Sequence, residues 1–213
     1  MSLLNDDVKK QVKDELGELA NEVKLIAFTQ KENCQFCNDT AELLKEVGEL
    51  NDKIAVEVYD IDDNSDKAAE YNVNKAPTIV PISKKDYNIR FYGIPGGYEF
   101  VSLIETIKML GADESGLSDD IKKEIQAIDK EVNLNVFITL SCPYCPRSVI
   151  TAHKFAFEND KISSAMVEAQ EFPEWSQQFE VMAVPKTVIN DSHSFEGAMP
   201  EDMVLQEVKK ALA

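Results

Sequence analysis

Cys34-Gln35-Phe36-Cys37 and Cys142-Pro143-Tyr144-Cys145 hold all four cysteines of this 213-residue chain, and each pair has a proline at one fixed distance behind it. Pro77 follows Cys37 by 40 positions, and Pro185 follows Cys145 by the same 40. Two thiols three residues apart can close into a disulfide and reopen, which is two-electron chemistry carried by the chain itself. Such a centre needs no bound cofactor, and none is expected. The first cysteine of each pair stands where an apolar run gives way to a helical pattern. Unpaired N–H groups and the positive helix end favour a thiolate there, lowering a thiol pKa from about 8.5 to roughly 3.5–7.5. Cys34 and Cys142 are therefore read as the attacking nucleophiles. Cys37 and Cys145, one turn further in, are read as the resolving thiols that break the mixed disulfide.

Two Cys-x-x-Cys pairs can also clamp one zinc ion. Zinc modules usually separate their pairs by about 15–20 residues, whereas here residues 38–141 lie between them. Each pair also keeps its own proline and its own strand-helix surroundings. A shared metal would not demand that, so no metal site is expected.

The prolines begin apolar β-type runs, Pro77-Thr78-Ile79-Val80 and Pro185-Lys186-Thr187-Val188-Ile189. Position alone says strand start; the repeated spacing says that each frames a dithiol. A cis bond at Ala76-Pro77 and Val184-Pro185 would offer the backbone of Ala76 and Val184 to an extended client segment. Main-chain pairing of that kind gives affinity without demanding particular side chains.

Further repetition surrounds the dithiols. Asn5-Asp6-Asp7-Val8-Lys9-Lys10-Gln11-Val12 matches Ser118-Asp119-Asp120-Ile121-Lys122-Lys123-Glu124-Ile125, each with an N-cap residue and two acids in the first helical turn. Strand patterns follow at 23–29 and 134–140, helices at 40–50 and 148–158, and strands at 54–61 and 162–169. Short amphipathic pieces then end near Tyr71 and Phe179. A hairpin, longer in the first copy, and a closing helix complete each copy. The order α-βαβα-ββα predicts an α/β chain of two tandem repeats of one fold. Each has a mixed central sheet flanked by helices and one extra N-terminal helix. Gly111 to Gly116 is the polar, glycine-bearing joint, so the units are expected at residues 1–113 and 114–213.

A formal charge of −17 opposes nucleic acid as a partner, because phosphate binding needs clustered Lys and Arg. No apolar stretch reaches the roughly 20 residues of a membrane span, and the first seven residues have no leader-like apolar run. The expected location is the cytoplasm, where a Cys-x-x-Cys is more often catalytic than structural.

Together these motifs resemble the thioredoxin superfamily. More narrowly they resemble the protein disulfide oxidoreductases, or glutaredoxin-like domain proteins, built of two tandem thioredoxin-fold units. Cys142-Pro143-Tyr144-Cys145, Ala152-His153-Lys154-Phe155-Ala156, Ala183-Val184-Pro185-Lys186-Thr187-Val188-Ile189-Asn190 and the run Phe91 to Phe100 carry the likeness. Pro143-Tyr144 is the glutaredoxin-like dipeptide, and Gln35-Phe36 is less usual. The resemblance implies dithiol–disulfide exchange on protein clients, electrons from a thioredoxin-reductase-like flavoprotein, and cis-prolines bordering each site.

Two departures stand out. Single-unit thioredoxins carry a buried acid in the strand before the dithiol, and residues 25–29 and 135–140 contain none. The Gly96-Gly97 turn, a glutathione-binding element in glutaredoxins, falls in the first copy, away from the glutaredoxin-like dipeptide. Among lesser candidates, His153 reads as a partly exposed helical residue. Trp175 with Phe172 and Phe179 reads as packing.

Three functions compete. They are a general disulfide oxidoreductase acting on client proteins, an electron carrier from a flavoprotein to a peroxiredoxin, and a thioredoxin-fold binding or chaperone-like module. Arg147 and Lys154 follow the second dithiol, while Glu32 and Asp39 offset Lys31 at the first. The second nucleophile, Cys142, is therefore expected to have the lower pKa and its dithiol the more oxidising potential. Titrating each thiol in the Cys37→Ser and Cys145→Ser variants tests this, and equal or reversed values refute it.

Overall fold

The structure is a computed structural model describing residues 2–213; Met1 lies outside the described residues. The element order is that expected, α-βαβα-ββα twice over. The first half runs α1 (Asp6–Leu16), β1 (Val23–Thr29), α2 (Cys37–Gly48), β2 (Ile54–Asp60), α3 (Ser65–Glu70), β3 (Thr78–Ile82), β4 (Ile89–Tyr92) and α4 (Phe100–Ala112). The second half repeats it as α5 (Asp119–Gln126), β5 (Val132–Ile138), α6 (Cys145–Glu158), β6 (Ile162–Glu168), α7 (Pro173–Gln178), β7 (Lys186–Ile189), β8 (His193–Glu196) and α8 (Glu201–Leu212).

β1 pairs in parallel with β2 and antiparallel with β3, and β3 pairs antiparallel with β4. In the second half β5 pairs in parallel with β6 and antiparallel with β7, and β7 pairs antiparallel with β8. Each sheet is therefore mixed, with the strand leading to the dithiol inside it. Chain packing groups residues 2–86, Arg90–Ile94 and Ile104–Glu114 into one compact unit. Tyr87–Ile89, Pro95–Leu103 and Ser115–Ala213 form the other.

Local chemistry explains the element ends. Asn5 Oδ1 accepts the Val8 N–H at 2.9 Å and Ser118 Oγ accepts the Ile121 N–H at 3.4 Å, so both capping expectations hold. β1 buries Leu25, Ile26, Ala27 and Phe28 in succession, and β5 buries Leu134 through Ile138. Consecutive strand residues point to opposite faces, so burial without alternation means that both faces are covered. Helices α2 and α6 begin at the second cysteine of each pair, three residues ahead of the expected starts. Their apolar periodicity sets in only after the first turn, which the disulfide occupies.

One buried carboxylate fastens the start of the chain to α2. Glu46 accepts the Ser2 hydroxyl at 2.7 Å, the Leu3 N–H at 2.6 Å and the Leu4 N–H at 3.1 Å, and Lys9 Nζ lies at 2.9 Å. Burial alone would raise its pKa. The bonds from Ser2, Leu3, Lys9 and Leu4 outweigh that and hold it at about 2. A carboxylate with a depressed folded-state pKa stabilises the fold fully above its unfolded value of about 4.5, and the stabilisation fades as pH falls toward 2. Glu46→Gln is expected to cost about 2–3 kcal/mol at neutral pH. The gap from the parent should narrow below about pH 4 in urea unfolding, and a gap independent of pH would refute this role.

Candidate functional site

Both cysteine pairs are closed as disulfides, Cys34–Cys37 and Cys142–Cys145, each with its Cα atoms 5.5 Å apart. All four sulfurs are thereby engaged in two separate couples. Among the described residues no group of three or more His, Cys, Asp or Glu is placed to share a metal ion. Cys34 sits half-buried in the turn ahead of α2, and Cys37 is buried as the first residue of that helix. Cys142 is 8 % exposed ahead of α6, and Cys145, the first residue of α6, is fully buried. The outer member of each pair is thus the more exposed of the two.

The helix starts here differ from those of α1 and α5. Phe36 and Tyr144 occupy the N-cap positions and make no side-chain capping bond. The first-turn N–H groups therefore stay available to a charge on the sulfur in front of them. The backbone N–H of Gln30 also donates to Cys37 Sγ at 3.1 Å. Of the cations beside the dithiols, Lys31 pairs with Asp63 and Lys154 with Glu201. Exposed Arg147 pairs with no acid among the described residues.

Register brings each proline to the end of the strand that leads into its dithiol turn. Phe28 pairs with Thr78 and Phe137 with Lys186, so one residue further Pro77 comes opposite Thr29 and Pro185 opposite Ile138. Both are the last residues of the strands that run into the cysteine turns. The Ala76-Pro77 and Val184-Pro185 bonds are cis. Both prolines are buried, while Ala76 and Val184 are half-buried. The Pro77 carbonyl accepts the Gly93 N–H at 3.0 Å, and the Pro185 carbonyl accepts the Gly197 N–H at 2.8 Å, so the repeat extends to matching bonds. Within the dipeptides, Phe36 is half-buried, whereas Gln35, Pro143 and Tyr144 are exposed.

Three readings of single residues change. The Gly96-Gly97 turn, assigned above to the first copy, packs in the second unit. Gly97 has φ +54°, and a Cβ there would lie 2.4 Å from the Leu140 carbonyl oxygen. The Tyr98 N–H donates to that same oxygen at 3.1 Å. The turn thus braces the backbone two residues ahead of Cys142, and only glycine fits both the conformation and the space. His153, expected half-exposed, is 1 % exposed, because α6 presents that side to the core. Trp175 meets Phe137 and Phe172 edge-on, the packing role expected of it.

The third reading concerns the missing acid. Glu99 ends the short 3-10 turn Gly97–Glu99, is fully buried, and lies in the turn that packs on α6. The Ser102 hydroxyl donates to one of its oxygens, and the other has no partner among the described residues. Burial pushes its pKa up to about 7, against the lowering effect of the Ser102 bond. A buried carboxyl thus reaches the second unit from outside the strand where one was sought. An acid between apolar neighbours just after a double glycine was the available signal.

The family model for the thioredoxin domain matches residues 132–210. Among curated proteins, the F subunit of alkyl hydroperoxide reductase from Pseudomonas putida is 24 % identical over 206 residues, 97 % of this chain. The Escherichia coli K12 protein of that description is 27 % identical over 197 residues, 92 % of this chain. The chain spans 37 % and 36 % of the length of these two relatives. In fold it superposes on the NTD_N/C domain of that reductase from Enterococcus faecalis with a TM-score of 0.89 at 24 % identity, covering 96 % of this chain and 99 % of that one. A protein disulfide oxidoreductase from Aeropyrum pernix superposes with a TM-score of 0.92 at 35 % identity, covering 97 % of this chain and 93 % of that one.

Gly97→Ala is expected to destabilise by about 2 kcal/mol or more. It should also slow disulfide reduction at Cys142 while leaving the Cys34 site unchanged, read in variants that keep one dithiol each. Equal slowing of both sites would refute the local role. With one solved oxidoreductase matched over nearly its whole length at 35 % identity, and with two helix-capping disulfides in place, this chain belongs to the protein disulfide oxidoreductases of the thioredoxin fold.

Proposed function

We propose that the chain exchanges dithiol and disulfide with client proteins at both Cys-x-x-Cys sites, acting as reductase or oxidase according to the supply of electrons. The observation that carries this is the pairing, in each half, of a helix-capping disulfide with a proline at the same sheet end. In the reducing direction the Cys142 thiolate attacks a client disulfide. A Cys142–client bond forms, the client bond breaks, and the released client thiolate takes up a proton. Cys145 then loses its proton and attacks Cys142 Sγ, closing Cys142–Cys145 and releasing the second client thiol. Cys34 and Cys37 perform the same steps. Ala76 and Val184 lend their main chains to the extended client, with Pro77 and Pro185 behind them. Restoring each dithiol takes two electrons, supplied by a thioredoxin-reductase-like flavoprotein. We place one site in each sequence half, 1–113 and 114–213, with Pro95–Leu103 of the first half serving the second site, in a reducing cytoplasm.

Glu99 fits as the acceptor of the Cys145 proton, being a buried carboxyl half-ionised at about pH 7 in a turn packed on the helix that Cys145 opens. Release of client from the Cys142 mixed disulfide should then speed up as pH rises through 7, where the carboxylate form appears. Glu99→Gln should slow it roughly ten- to hundredfold and remove that inflection. A stopped-flow pH profile identical to the parent's would exclude the role.

The likeness to the F subunit of alkyl hydroperoxide reductase over more than nine-tenths of the chain favours a second reading. In it the chain carries electrons from the flavoprotein to a peroxiredoxin. Insulin reduction compared with peroxiredoxin-coupled peroxide turnover separates the two. Turnover confined to the peroxiredoxin would retire the general exchanger, and failure of both assays would retire the function itself.

A further inference from the structure

Several of the large apolar side chains left exposed lie on the segments that lead to or from the second dithiol, its proline or the turn at Leu140. Tyr144, between the cysteines of the second pair, is 71 % exposed. Met182, three residues before Pro185, is 89 % exposed. Tyr98, whose N–H holds the Leu140 carbonyl ahead of Cys142, and Val101, one turn later, are each just over half exposed. A hollow of about 600 Å³ continues this surface, with Val101, Ile121, Pro146, Ile150 and Pro200 in its wall and Arg147 on its lining. In the first unit the counterpart of Met182, three residues before Pro77, is Asn74, and Lys75 follows it. Phe36 in the first dipeptide is half-buried.

An apolar collar of this kind is costly to leave hydrated in a chain of net charge −17, unless something docks on it. Its charges point the same way. Lys154 neutralises Glu201 at 2.8 Å across the hollow, leaving Asp202 as the other acid there. Arg147 keeps an open guanidinium two residues beyond Cys145, without an ion pair among the described residues. The occupant suited to this surface is an extended polypeptide. It would seat a large apolar side chain against Met182 and Tyr144 and place a carboxylate near Arg147.

Resting on the reading above that both dithiols act on proteins, we infer that they divide their clients. The Cys142 site selects disulfides flanked by a large apolar residue and an acid, and the Cys34 site accepts polar surroundings without such a preference. Exposed apolar area at a docking rim discriminates through the extra burial that a matching client gains, and a well-seated side chain changes kcat/KM about tenfold.

The test uses full-length chains with one dithiol removed, Cys34→Ser/Cys37→Ser or Cys142→Ser/Cys145→Ser. Disulfide-bridged peptides differ only by leucine or serine beside the cystine, with glutamate or lysine beyond it. Through the second dithiol the leucine peptide should be reduced with kcat/KM about tenfold above the serine peptide. The glutamate version should exceed the lysine version about threefold at low salt. Met182→Ser or Tyr144→Ser should cut the leucine preference to about twofold, and Arg147→Glu should reverse the charge preference. The first dithiol should discriminate less than about twofold among all of them. Equal kcat/KM for leucine and serine peptides at the second dithiol, or equal preferences at both dithiols, would overturn the division of clients while leaving disulfide exchange standing. No exchange with any peptide at either dithiol would overturn the proposed function and this inference with it.

Discussion

Everything in each half is arranged about the carboxyl end of one doubly buried strand. β1 and β5 lie inside their sheets with both faces covered, so their course is rigid up to the last residue. Beyond that point the chain must leave the sheet, turn, and enter a helix. Orphan N–H groups, helix dipole and a change of chain direction all meet in that turn. A pair of cysteines placed there holds one sulfur outward and the other against the core. The neighbouring antiparallel strand starts beside the same point, so Pro77 and Pro185 come to that sheet end through backbone pairing alone.

The surroundings of the buried cysteine are where the two halves part. A thiol buried at a helix start loses its proton to water less readily than an exposed one, because burial disfavours the thiolate. In the second unit Glu99 arrives on a separate turn, pinned by Gly97 and by the Tyr98 bond to Leu140. The same piece of backbone therefore fixes the loop before Cys142 and delivers a carboxyl whose pKa burial has moved to about 7. At the first dithiol, Cys37 Sγ instead accepts the Gln30 N–H, and the cation Lys31 is held by Asp63. Two frames of the same element order and strand pairing thus surround their sulfurs with different chemistry, and that difference is the material from which unlike potentials and unlike clients can be made.

Surface character follows the same division. The chain is strongly acidic, and its ion pairs are mostly exposed and individually weak. One exception is Glu46, a buried carboxylate that gathers the first described residues onto α2 and so steadies the helix opened by Cys37. On the segments of the second dithiol and its proline, Tyr144, Met182 and Arg147 are exposed.

The chemistry and the architecture were written in local spacing. The equal Cys-to-Pro intervals, the capping residues Asn5 and Ser118 and the alternation of strand and helix patterns were enough to foresee the order of elements and the tandem mixed sheets. They also sufficed to pair the cysteines two by two and to start each proline strand at the end of the strand before a dithiol, because strands, helices and turns are specified by neighbours a few residues apart. Helix starts were misplaced by one turn, since the first turn of α2 and of α6 faces a disulfide and carries no apolar period. Glu99 and the Gly96-Gly97 turn were invisible as parts of the second site. Their position depends on a contact with Leu140, more than forty residues away in sequence, and no periodic pattern encodes which surface a loop will meet. The burial of His153 and the exposure of Met182 were likewise settled by packing, because how much water a side chain keeps depends on which distant segments come to cover it.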